Sequence, residues 1–179
     1  MVSFTGLWKR KNFNFARDFY NQTQPELLNF IESGQFHRRE VEIGDFIYAV
    51  STNDRGELLL IGKMQIGKIV SSAEEVEDIL GLNYEVYSGE EENQQIDYAI
   101  AEFGTVMQFD TIIPYGTARN LRFVTKKGLT SLTFQPGTKK LDGQTLRTMR
   151  VLTRESAANL DKFLKSGLSK VNWYLSDES

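Results

Sequence analysis

The sequence predicts an α+β fold, a small, strongly bent and mostly antiparallel β-barrel flanked by short helices, in one domain spanning residues 1–179. Three observations predict it. Short apolar runs separated by turn residues fill the middle and later parts of the chain. Glycines interrupt the longest of these runs, where a strand must bulge or bend to turn a barrel corner. Only three stretches carry helix-capping signals. A chain of 179 residues with 40% hydrophobic and 12% aromatic content can fill one core.

The clearest grammar lies between Gly44 and Val70. Ile47 to Val50 form one apolar run, Thr52-Asn53-Asp54-Arg55-Gly56 supplies turn chemistry, and Leu58 to Ile61 form a second, which predicts a hairpin. Its second strand continues through Met64, Ile66 and Ile69, with Gly62 and Gly67 marking bulges. Before it, Pro25 to Ser33 reads as a short helix, with Pro25 at the first position, Leu27, Leu28 and Ile31 inward and Gly34 as the stop. After it, Ser72-Ala73-Glu74-Glu75 is a capping box that opens a helix to Leu80, ended by Gly81.

Downstream, Ile96 to Phe103, Val106 to Phe109, Leu121 to Val124, Leu129 to Phe134 and Leu146 to Leu152 read as strands of an antiparallel sheet. Thr153 caps a last helix whose apolar stripe is Ala157, Leu160 and Leu164, ending near Gly167. Val171, Trp173 and Leu175 alternate as a final strand would.

Charge is strongly segregated along the chain. Residues 71–110 hold eleven acids and no Lys or Arg, whereas residues 115–154 hold nine Lys or Arg and one acid, Asp142. The formal net charge of −3 therefore conceals poles of −11 and +8. With no cysteine, disulfides, thiolate catalysis and cysteine-ligated zinc are removed from consideration. The first residues turn basic at Lys9, Arg10 and Lys11, without the apolar core of roughly 7–15 residues that a signal peptide needs. No run of about 18 apolar residues is present to cross a bilayer. The expectation is a soluble, cytoplasmic protein with no membrane partner.

Two segments carry a family resemblance. GDFIYAVSTNDRGELLLIGKMQIGKIV resembles the central hairpin of PUA-like barrels, including the EVE and ASCH groups, where a Gly-Asp turn precedes one strand and an IGK-type strand follows. LDGQTLRTMRVLTRESAANLDKFL is similar to the terminal segment of EVE-like relatives, in which a strand ends in a basic residue and a Thr-capped helix closes the barrel. Trp8-Lys9-Arg10-Lys11 loosely echoes the first strand of the EVE group. The resemblance implies a domain that binds RNA or modified nucleobases, with an unpaired base in an aromatic-lined pocket.

Arg119, Arg122, Lys126, Lys127, Lys139, Lys140, Arg147, Arg150 and Arg154 suit phosphate binding, which orients a polyanion while base contacts supply specificity. The competing reading is a solvated basic face that only offsets the acidic segment. Arg147 and Arg150 are three positions apart, so in an unbroken strand at most one of them lines a shared groove. Phe4, Trp8, Phe13, Phe15, Phe19 and Tyr20 interleave with Lys9, Arg10, Lys11 and Arg17, a mixture that suits base stacking and equally suits a core edge. Trp8, Tyr48 and Ser51 are the candidate pocket residues. Glu90-Glu91-Glu92 reads as a solvated loop and lacks the spacing of a calcium loop.

Catalytic signatures are weak. His37 is the single histidine and stands beside Arg38 and Arg39, and no nucleophile elbow, phosphate loop or dinucleotide fingerprint is present. Asp45, Glu57, Lys63 and Lys68 leave a nuclease-like carboxylate and lysine set open. The leading expectation is a noncatalytic nucleic-acid-binding domain, for RNA or DNA, that needs no cofactor or metal. It uses Trp8, Lys9, Arg10, Tyr48, Ser51, Arg119, Arg122, Lys126, Arg147 and Arg150. The alternatives are a protein-interaction or self-assembly module using its acidic and basic faces, as a homo-oligomer or with another protein, and a nucleotide-acting enzyme.

Overall fold

The computed structural model describes residues 1–20, 26–81 and 96–174. The chain enters through β1 (Ser3–Leu7) and α1 (Arg10–Tyr20). The sequence reading did not anticipate α1. Its buried residues Phe13, Ala16 and Tyr20 recur at helical spacing. Phe13 and Tyr20 pack on Phe109, with ring centroids 5.7 and 6.4 Å apart.

The expected helix over Pro25–Ser33 is corrected, with Pro25 itself outside the described residues. Leu27 bridges Val106, and β2 (Phe30–Ser33) pairs antiparallel with β5 (Asp97–Gly104). Backbone hydrogen bonds decide the matter: the Leu28 N–H donates to the Thr105 carbonyl at 2.8 Å, and the Asn29 carbonyl accepts from Ala101 at 2.8 Å. The segment's polar groups are thus satisfied by β5 rather than within a helix. Leu28 and Ile31 still turn inward. Gly104 lets the two strands meet, because a Cβ there would lie 2.0 Å from the Leu28 carbonyl oxygen.

The hairpin of β3 (Phe46–Thr52) and β4 (Leu58–Val70) forms as its turn residues predict. Asn53 Oδ1 accepts from the N–H groups of Arg55 and Glu57 at 3.0 Å each. Gly56 takes the left-handed φ of 71° that the turn requires. Side chains of β3 alternate between two cores, one containing Ile47 and Ala49 and the other Tyr48 and Val50. In β4 the alternation changes phase: Leu59 and Ile61 serve the first core before a bulge, Met64 and Ile66 after it. Val50 pairs with Leu60 and Ala49 with Gly62, so Ile61 is the inserted residue. Gly62 suits this crowded face, since a Cβ there would sit 2.8 Å from Thr105 Oγ1. A second irregularity in the pairing with β5 falls at Gly67.

The serine cap expected at α2 (Ala73–Leu80) forms: Ser72 Oγ accepts from the Glu75 N–H at 3.2 Å. Gly81 closes the helix at φ 66°. The acidic loop at Glu90-Glu91-Glu92 lies outside the described residues. Next come β6 (Ile112–Ile113), α3 (Tyr115–Asn120), β7 (Phe123–Thr125), β8 (Gly128–Thr130), β9 (Arg150–Leu152), α4 (Arg154–Asp161) and β10 (Ser169–Lys170). Thr153 caps α4 through the Ser156 N–H, as expected, but the helix stops at Asp161.

Several expected strands are shorter or absent. Val106 to Phe109 is irregular, its amides being bonded separately to Ser166 Oγ, the Glu26 carbonyl and the Ile61 carbonyl. Residues ahead of Arg150 form turns instead of extending β9. The last strand is Ser169–Lys170, preceding the alternation at Val171 and Trp173, and Leu175 lies outside the described residues.

The chain is mostly sheet with few helices. The strand order is β10-β5-β4-β3-β1-β9-β7-β8, with β2 also on β5 and β6 also on β4. Among the described residues only the β1–β3 pair is parallel. No pairing among the described residues joins β10 to β8, so the expected barrel is corrected to an open mixed sheet. Among the described residues no helix is long and apolar enough to cross a membrane.

Candidate nucleic-acid interface

Strand register places one end of the sheet apart from the rest. β1 runs parallel to β3, with Leu7 beside Val50, so the end of β1 and the 53–57 turn lie at the same end. Phe4 pairs with Val151 and Thr5 with Arg150, while Val124 pairs with the same Val151. β1 and β7 therefore point the same way. The β7–β8 turn at Lys126 and Lys127 lies beyond the level of Arg150.

At this end a cleft of about 780 Å³ opens between the end of β1, β2 and the turn over 142–149. Leu7, Trp8, Phe30, Leu146 and Met149 give it apolar wall, and its polar lining mixes Ser51 with the cations Lys9, Arg10 and Arg147 and the carboxylates Glu32 and Asp142. That mixture of apolar wall and a few converging polar groups is what a ligand site requires. Trp8 is only 8% exposed and belongs to the wall rather than standing free as a platform. The backbone holds it in place: its N–H donates to the Val50 carbonyl at 2.8 Å, and Ser51 Oγ donates to its carbonyl at 2.9 Å. Arg10 is directed away, onto Asp54 at 2.9 Å and the Asn53 carbonyl at 2.8 Å.

Tyr48 is not part of this cleft. It is fully buried in the opposite core, three positions from Ser51 and so on the other face of β3. Its hydroxyl donates to Asp161 Oδ1 at 2.6 Å, and Lys63 Nζ lies 3.2 Å from the same oxygen. Burial first, then the Asp161 contact, hold the Tyr48 proton far above the ordinary tyrosine range. The group pins α4 to the β3–β4 hairpin.

The basic segment is only partly gathered at the cleft. Arg147 is in the cleft wall. Arg150 lies beside it in sequence but packs over the Phe123 ring, 4.3 Å from its centroid. Lys126 is exposed at the hairpin tip. Arg122 is at the other end of β7, its guanidinium donating to the Arg119 and Leu121 carbonyls at 2.9 and 3.0 Å. Arg119 and Lys139 stand 5.8 and 5.5 Å from the Tyr115 ring, outside the cleft. Among the described residues none of the nine cations in 115–154 forms an ion pair. The carboxylates of the nuclease-like set are apart. Asp45 accepts from the Val2 and Glu42 N–H groups before β3, and Glu57 pairs with Arg55 beyond it.

Sequence reasoning missed Gln35. Its side chain joins the 35–40 turn to the cleft wall, Nε2 donating to the Arg147 carbonyl and Oε1 accepting from the Met149 N–H, both at 2.8 Å. No local signal marks it, because both partners are more than a hundred residues away.

The fold and site together define an open mixed-sheet protein with a cleft at one end of the sheet, lined by apolar side chains and by groups of both charges. Among solved structures it is similar to the crystal structure of ASCH from Zymomonas mobilis, with TM-score 0.40 and 12% identity over 92% of this chain and 97% of that one. A mutant form of the same Zymomonas mobilis protein gives 0.39 and 11% over 92% and 100%. No family model and no curated protein matches the chain.

Proposed function

We propose that the chain binds nucleic acid at the end of the sheet, with an unpaired base entering the Trp8 cleft and the phosphate backbone running over Arg147, Lys9 and the Lys126–Lys127 tip. The observation that carries this reading is the convergence, through strand register, of an apolar-walled cleft and three cations, Arg147, Lys126 and Lys127, that form no ion pair among the described residues. A base is flat and apolar on its faces, and its edge offers hydrogen bonds, so it suits a wall of Trp8, Phe30 and Met149 edged by polar groups. Lys and Arg at the border supply the remaining affinity by neutralising phosphates and releasing the counterions condensed on the nucleic acid.

The test is fluorescence anisotropy with labelled single-stranded RNA, single-stranded DNA and duplex oligonucleotides. Binding is expected at about 50 mM salt and should weaken linearly on a log–log plot as salt rises. Single strands should bind more tightly than the duplex, since only they offer an unpaired base. Absence of affinity for all three at the low salt would remove the reading.

A further inference from the structure

No Asp or Glu occurs between Asp110 and Asp142, and within that stretch two cations stand against one aromatic ring. Tyr115 opens α3, and Arg119, one helical turn later, has its guanidinium carbon 5.8 Å from the Tyr115 ring centroid. Lys139 reaches the same ring from a separate turn, its Nζ 5.5 Å from the centroid. The electron-rich face of a phenol ring attracts cations, so Tyr115 holds together two like charges that repel each other.

The backbone fixes both parts of this group. Phe134 meets the Tyr115 ring edge-on, with centroids 5.1 Å apart, and itself bridges Leu141. The turn that presents Lys139 is closed by the Gln135 N–H donating to the Lys140 carbonyl at 2.8 Å and the Lys140 N–H donating to Thr138 Oγ1 at 3.1 Å. Arg119, Lys139 and Lys140 are exposed, and none forms an ion pair among the described residues. A Cβ at Gly116 or Gly137 would meet no atom within 4 Å, so the surface beside Tyr115 and at the head of the Lys139 turn is open.

Register brings the group to the cleft end of the sheet. Ile113 pairs with Leu58, so the chain enters α3 beyond the end of β4 that follows the 53–57 turn. The Leu141 N–H donates to the Gly56 carbonyl at 2.9 Å, and the next residue, Asp142, lines the cleft. Lys139 is thus three residues from the cleft wall, at most about 11 Å of extended chain. The Lys126–Lys127 tip borders the cleft from the β7 side, and this group from the β4 side.

We propose that Tyr115, Arg119 and Lys139 form a second subsite, which takes a backbone phosphate of a nucleotide neighbouring the one held in the cleft. Resting on the nucleic-acid reading above, the subsite extends the bound strand across the sheet end to α3. Arg119 and Lys139 donate to the phosphate oxygens. Tyr115 is a positioning residue: it gathers the two charges before the strand arrives, which reduces the side-chain ordering that binding would otherwise cost.

The test is anisotropy across salt with a labelled single-stranded oligonucleotide, comparing wild type, the double variant Arg119→Ala with Lys139→Ala, Tyr115→Leu and Tyr115→Phe. Both cations are exposed, so the double variant should keep the wild-type melting profile. It should lower the slope of the log–log plot by about 0.7, one phosphate contact, and weaken binding about five- to tenfold at about 50 mM salt. Tyr115→Phe keeps the ring and should bind as wild type does. Tyr115→Leu frees the cations without removing them, so affinity should fall while the slope falls less than in the double variant. A role for the ring in packing alone would shift melting in Tyr115→Leu and leave the affinity and slope of the double variant untouched. If wild type binds and the double variant matches it in both, the subsite is refuted while the nucleic-acid reading stands. If wild type binds no oligonucleotide, the two fall together.

Discussion

Replacing Gln35 with alanine should disturb both the stability of the chain and the shape of its cleft. The side chain supplies a donor to the Arg147 carbonyl and an acceptor to the Met149 N–H, each at 2.8 Å. Met149 is 3% exposed, so water has little access to replace the lost acceptor. Two hydrogen bonds at a net value of about 1 kcal/mol each, one leaving a buried N–H unsatisfied, predict a loss of about 2–3 kcal/mol. For a chain of this size that corresponds to a fall in melting temperature of roughly 4–12 °C. Calorimetry measures the fall, and hydrogen exchange at the Met149 amide localises it, since that proton should exchange much faster in the variant. Gln35→Met separates hydrogen bonding from packing because it keeps the bulk and removes both polar ends. It should lose nearly as much stability as alanine. A melting temperature within about 1 °C of wild type, or a full recovery in Gln35→Met, would refute the bridge as the element that fixes the cleft wall.

Other outcomes follow from the same geometry. Tyr48→Phe removes the donor to Asp161 Oδ1 and should cost about 1–2 kcal/mol in denaturant unfolding. Because the Tyr48 pKa is raised in the folded state, its contribution is complete below the unfolded tyrosine value of about 10 and is lost as pH rises beyond it. Tyr48→Phe should therefore flatten part of the alkaline decline in stability. The Lys165 hydrogen bond is the largest influence on Asp110 and lowers its pKa, against a smaller opposing effect of burial. Lys165→Ala should move that pKa back up toward the ordinary carboxylate range in an NMR titration. Joint replacement of Lys126 and Lys127 by alanine should lower the salt slope of oligonucleotide binding by about 1.4–1.8 if both meet phosphates. Trp173→Phe leaves Trp8 as the single tryptophan, and a bound base should then change its emission.

The parts of the fold visible in the sequence are those governed by local chemistry. Asn53 and Gly56 mark the hairpin turn, Ser72 and Gly81 bracket α2, and Thr153 starts α4, each through contacts within a few residues. The segment around Leu28 was misread because Leu27, Leu28 and Ile31 fit a helical face, whereas distant β5 supplies its hydrogen-bond partners. Phe13, Ala16 and Tyr20 carry a helical spacing, but Phe13 and Tyr20 belong to an aromatic and basic stretch whose composition equally suits base stacking. The charge poles were legible, but their relation to a cleft depends on long-range pairings such as Thr5 with Arg150. Tyr48 could have been separated from Ser51 by strand alternation alone.

The inserted Ile61 has a consequence for how this chain tolerates length changes. Excising it would leave Leu60 opposite Val50 and Gly62 opposite Ala49, so the ladder could close over the gap with its sidedness intact. Removing a residue from the regular stretch between Lys63 and Gln65 would instead turn the following side chains inside out. One strand thus contains a site that forgives a deletion and, a few residues away, sites that do not.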